Sequence, residues 1–188
     1  MLIPLFDAHC DTITAAMKKG ENLRKNSLHL DFERLRTFSP CAQVFAIFMR
    51  HEEDPPGMEP DYDRPDGPPE VLYGLYREAA GRLLTEFDRN SDILMHCLTA
   101  GDVRLAGAEN KIAAFMSVEG AELLECSAER LREAYALGVR LVNITWNYPN
   151  SLSGTAMSGS KGGLTERGKD FVRRAQEMGV ILDMSHIS

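Results

Sequence analysis

The chain has 188 residues, 44% hydrophobic and 26% charged, with a formal net charge of -7 and a pI of about 5.3. Those proportions suit one domain with a sizeable core, and the acidic balance argues against nucleic acid or an anionic membrane surface as partner. No apolar run approaches the roughly 20 residues that span a bilayer, and the N-terminus lacks the basic start and cleavage site of a signal peptide, so the expected location is the cytoplasm.

The first predicted strand covers residues 3–8 and is closed by His9-Cys10-Asp11. Residues i and i+2 of a strand leave the same face, so an imidazole and a carboxylate are expected to project together from one strand end. A short helix follows, with Asp11 or Thr12 as cap and Gly20 as stop. Asp31 can cap a second short helix over 32–37, and the continuous apolar run 42–49 reads as a strand buried on both faces. Residues 51–69 hold six of the nine prolines and many acids, a Pro-rich acidic loop. A helix from about 70 to 87 aligns Leu72, Leu75, Ala79, Leu83 and Phe87 on one stripe.

Thr99 and Asp102 mark the next helix start, and an apolar strand over 112–118 runs into Glu119. Ser127 and Gly138 bracket a helix, and 139–145 is the following strand. Residues 151–163 are rich in Gly and Ser and read as a flexible loop. Thr165 caps the last helix, 166–178, which Gly179 ends, and the strand 180–184 runs into His186. Cys10, Cys41, Cys97 and Cys126 form no CxxC pair, and are read as reduced, mostly buried thiols. Strand alternation turns Cys10 away from its neighbours, so it is not counted as a ligand.

Five strands with helices between most of them predict a parallel α/β fold. A doubly wound sheet and a (β/α)8 barrel both fit that pattern. The barrel is favoured because His9 and Asp11, Glu119, and His186 lie at the ends of the first, third and fifth strands, where barrel sites collect. Two histidines and two carboxylates at strand ends suit a hydrolytic zinc centre. Each residue has an ordinary reading as well. Asp11 is placed to be a helix cap, Glu119 before Gly120 a solvated turn acid, and His186 a packed strand-end histidine. His29 and His51 sit in polar segments, and His96 is assigned to core packing. Asn143, Asn147 and Asn150 are placed near the site mouth, where turn asparagines are also expected.

The segments DAHCDT (7–12), SVEG (117–120), LVNITWNYPN (141–150) and GGLTERGKDFVRRAQEMGVILDMSH (162–186) resemble the membrane dipeptidase, or renal dipeptidase, family of zinc peptidases. The resemblance runs the length of the chain, yet covers about the first five-eighths of such a barrel. It implies an incomplete (β/α)8 TIM-type barrel of about five strands, in a single domain over 1–188, with two zinc ions and dipeptide hydrolysis through a metal-bridging hydroxide. His9 and Asp11 match ligands of one zinc, Glu119 the carboxylate that bridges both, and His186 a ligand of the second. A further His ligand, the Arg that grips the substrate carboxylate and the acid/base residue are expected beyond Ser188. Trp146 stands where some members carry a substrate-contacting His, and Trp146 and Asn147 are the substrate-binding candidates.

The expected partner is a dipeptide or similar small amide. A homo-oligomer or a complementing C-terminal segment is the expected protein partner, and the 188 residues alone are expected to bind metal weakly as a truncated, inactive fragment. Two other functions fit the motifs: another amidohydrolase-like metal hydrolase, and a non-catalytic binding module descended from a peptidase.

Overall fold

The computed structural model describes residues 2–50, 67–157 and 162–188. The Pro-rich loop, His51 and part of the Gly/Ser-rich loop lie mainly outside those residues. The chain divides into two compact units, Met1–Ile47 with Glu78–Ser117, and Phe48–Arg77 with Val118–Ser188.

In the first unit, β1 (Ile3–Asp7) lies parallel to β2 (Phe38–Ile47), with Leu5 opposite Cys41 and Asp7 opposite Gln43. Residues 41–47 are all buried, as the unbroken apolar run predicts. Phe45 packs edge-on against Phe32 and Phe87, at centroid distances of 5.7 and 5.5 Å. The flanking helices are α1 (Thr12–Lys19), α2 (Phe32–Leu35), α3 (Pro69–Arg89) and α4 (Ala100–Ala108), α3 entering from the second unit. Asp31 and Thr99 cap α2 and α4 as expected, and Thr99 with Asp102 forms a complete capping box.

Two expectations are corrected here. Asp11 occupies the N-cap position of α1, but its side chain makes no capping bond. A strand missing from the sequence reading, β3 (Leu94–His96), pairs parallel with β4 (Ile112–Val118), so the described residues form six strands rather than five. Three residues are too few to show a period, and the apolar run around them reads equally well as packing. His96 packs beside the Phe87 ring at 5.2 Å.

In the second unit, β5 (Val139–Asn143) pairs parallel with β6 (Ile181–Asp183), Asn143 opposite Asp183. The helices α5 (Ala128–Leu137) and α6 (Glu166–Met178) start at Ser127 and Thr165, whose hydroxyls accept from Arg130 and Gly168 N–H groups. Both end on left-handed glycines, Gly138 and Gly179. The segment 151–157 was expected to be flexible, yet Leu152, Ser153 and Thr155 are buried. Antiparallel bridges Ser153–Leu164 and Thr155–Ile187 hold it in place.

In β1, Ile3 and Phe6 are 69% and 70% exposed, and in β6, Ile181 is 59% exposed.

The start of α6 is held by close backbone approach. Thr165 N donates to the Leu152 carbonyl at 2.8 Å, and a Cβ added at Gly168 would overlap that same oxygen. Gly74 is also helical, but a Cβ there meets nothing within 4 Å among the described residues. Gly168→Ala is therefore expected to lower stability by about 1–3 kcal/mol, the cost of overpacking. Gly74→Ala should gain about 0.5–1 kcal/mol from helix propensity. Thermal or urea unfolding of the two variants reads both signs.

Candidate metal centre

β1 ends at Asp7, two residues before His9. The Asp7 carboxylate accepts from the His9 N–H at 3.2 Å, which turns the chain out of the strand. Cys10 keeps contact with the sheet through its carbonyl, which accepts from Ala46 N–H at 2.9 Å. The His9 ring then returns toward Asp11, with Nε2 3.2 Å from Oδ1. The two side chains do converge as expected, but through a side-chain-closed turn and not through strand alternation. Burial pushes the Cys10 thiol up to about 12.

In the second unit, Glu119 follows β4 directly and is only 6% exposed. Gly120 takes φ 95°, and the chain enters a 3-10 turn over Ala121–Leu124 that the sequence reading did not include. His186 lies three residues past β6, with φ 70° in the left-handed region. Its Nε2 is 3.2 Å from Glu119 Oε1, and its Nδ1 is 2.9 Å from Asn147 Oδ1. Asp183 and Ser185 are closer to this ring in sequence. Asp183 instead accepts from the Ser185 N–H at 2.8 Å.

Trp146 stands beside His186 at a centroid distance of 6.4 Å, with Phe48 and Tyr148 on it at 4.7 and 5.7 Å. The Arg50 guanidinium lies over both Trp146 and Tyr148, at 5.4 and 4.8 Å, and donates to the Tyr148 hydroxyl at 2.6 Å. This cationic and aromatic wall was missed by the sequence reading, because Phe48 and Arg50 are distant from 146–148 in the chain. Of the other asparagines, Asn150 braces its turn by donating to the Ile144 carbonyl and Glu122, and Asn143 is buried at the end of β5.

The structure thus brings together His9 with Asp11, and Glu119 with His186. Neighbouring ligands of a tetrahedral zinc, bound at about 2.0–2.2 Å, sit about 3.3–3.6 Å apart. Both donor pairs, each at 3.2 Å, come close to that separation. Imidazole with carboxylate is also the donor chemistry of hydrolytic zinc sites. The residues fit a divalent metal.

A family model described as membrane dipeptidase, peptidase family M19, matches residues 2–188. The chain belongs to that family. Its fold matches the crystal structure of a metallopeptidase from Rhodobacter sphaeroides, liganded with a phosphinate mimic of the dipeptide L-Ala-D-Ala. That match has a TM-score of 0.80 at 24% identity, over 100% of this chain and 60% of the other. A second structural match is the dipeptidase AC, a metallopeptidase of family M19, with a TM-score of 0.78 at 26% identity over 99% and 57% of the two chains. An uncharacterized dipeptidase of Schizosaccharomyces pombe is 27% identical over 192 residues, covering 97% of this chain and 46% of its own length. The chain thus spans roughly half to three-fifths of these relatives, and its M19 fold is the incomplete TIM-type barrel that the strand-end pattern predicted.

Trp146 is the sole tryptophan and stands 6.4 Å from the His186 ring, so its fluorescence reports on that ring directly. Cobalt(II) is expected to quench it saturably. His186→Ala should raise the half-quenching concentration at least about tenfold, the lower end of what disturbing a metal site costs.

Proposed function

We propose that this chain carries the metal-binding part of a zinc-dependent dipeptidase, with His9, Asp11, Glu119 and His186 as ligands and two ions in the complete site. The observation that supports this most is the Glu119–His186 pair, a buried carboxylate and an imidazole whose donor atoms stand 3.2 Å apart beside a strand end. A divalent ion held there supplies Lewis acidity toward a scissile carbonyl and acidifies water toward a pKa of about 7.

The chain's own residues have distinct tasks in this reading. Glu119 has two carboxylate oxygens, one of them facing His186, which suits a residue shared between two ions. His9 and Asp11 present Nε2 and Oδ1 together as a second donor pair. Trp146, with Phe48 and Tyr148 packed on it, forms an apolar wall beside His186 that excludes water and seats a substrate side chain. The substrate is a dipeptide or similarly small amide. The general acid/base and the remaining strands come from a further C-terminal segment, which the greater length of the relatives supports. Residues 1–188 then belong to one barrel domain. The same reading places the protein in the cytoplasm, where its four free cysteines would stay reduced.

The test combines metal analysis with a substrate panel on the protein bearing its full barrel. Bound zinc and preference for dipeptides over cyclic amides and lactones are expected. Glu119→Gln should lower kcat/KM by more than about 100-fold, beyond the range of second-shell changes. Preference for cyclic amides would transfer the site to another amidohydrolase chemistry, and a purified protein without metal would favour a binding module.

A further inference from the structure

We infer that Asn147 is a positioning residue that fixes the tautomer and aim of His186, and that the 147–157 loop is the clamp through which it acts. The inference rests on the reading of His186 as a metal ligand, and it replaces the substrate-binding role that the sequence suggested for Asn147.

An amide oxygen can only accept a hydrogen bond. With Asn147 Oδ1 at 2.9 Å, His186 Nδ1 must carry the proton. A neutral ring then has its lone pair on Nε2, the atom that faces Glu119 Oε1 at 3.2 Å. A metal-binding imidazole needs that state: one nitrogen bare toward the ion, the other donating to a fixed acceptor.

The loop fixes the rest of the geometry. His186 has φ 70°, a conformation that non-glycine residues adopt only when their surroundings impose it. Its carbonyl accepts from Ala156 N–H at 2.8 Å, and the adjoining Ile187 bridges to Thr155. Thr155 is fully buried, and its hydroxyl donates to the Asn147 carbonyl at 3.1 Å while accepting from Met157 N–H at 3.0 Å. One loop therefore grips His186 twice, by its backbone through residues 155–156 and by its ring through Asn147. Thr155 ties the two grips together.

The test uses Asn147→Leu, Asn147→Asp and Thr155→Val. Long-range 1H–15N spectra of the metal-free chain at about pH 8, above the ordinary His range, read the ring tautomer without any activity. The parent is expected to hold the proton on Nδ1. Asn147→Leu should lose that preference and weaken zinc binding about 10- to 100-fold. Asn147→Asp keeps an acceptor at the same place and should restore both the tautomer and most of the affinity. Thr155→Val should weaken binding in the same direction but less, which keeps the inference testable if Asn147→Leu fails to fold. A tautomer unchanged in Asn147→Leu, with zinc affinity within twofold of the parent in Asn147→Leu and Thr155→Val, would overturn it. So would a rise in dipeptide KM with tautomer and affinity unchanged, which would return Asn147 to substrate binding. If the tautomer moves as expected but the parent binds no zinc, the ligand reading fails and the positioning contact stands.

Discussion

Two electron-rich atoms, Glu119 Oε1 and His186 Nε2, face each other at 3.2 Å beside the end of β6. Asn147 Oδ1 stands 2.9 Å from the other ring nitrogen, and with the proton held there Nε2 keeps its lone pair toward the carboxylate. Glu119 is only 6% exposed, and burying a carboxylate is costly unless it is paired or hydrogen-bonded. In the reading proposed above, a divalent ion lies between the two atoms. His9 and Asp11 repeat the pattern in the other unit, with the same spacing and more exposure. The chemistry proposed for this chain depends on holding such pairs together.

Local backbone features supply that hold. The Asp7 side chain terminates β1 and throws His9 back over Asp11. Gly120 takes a backbone conformation that glycine adopts without strain, and this lets the chain turn away immediately after Glu119. His186 takes a left-handed conformation without being glycine, at a cost of about 1–3 kcal/mol that the loop through Thr155 and Ala156 must offset. Strain of this kind persists where surrounding structure over-determines it, and here it aims a ring at a buried carboxylate. The Phe48, Trp146 and Tyr148 wall then sets the polarity on the neighbouring side.

Much of this could be read from sequence for simple physical reasons. Caps at Asp31, Thr99, Ser127 and Thr165 and stops at Gly20, Gly138 and Gly179 act over three or four residues, so their signal is local. The buried run of β2 and the placement of Glu119 immediately after β4 are equally local. What escaped depends on distance or on shape. β3 is three residues long, and Asn147 is 39 residues from His186. The positive φ of His186 has no compositional mark, unlike that of a glycine. His9 and Asp11 converge as alternation suggested, although the strand has already ended and a turn produces the contact. The two side chains meet there through a different backbone from the one that alternation implies. Asp11, which could have been either a cap or a ligand, makes no capping bond and faces His9 instead.

The most direct measurement is an anomalous difference map at the zinc absorption edge from crystals of the metal-loaded protein. The account predicts peaks bonded to His9, Asp11, Glu119 and His186 through nitrogen and oxygen at about 2.0–2.2 Å, and none on Cys10 at the longer sulfur distance of about 2.3 Å. A peak on a cysteine, or zinc held elsewhere with these four side chains unengaged, would contradict it.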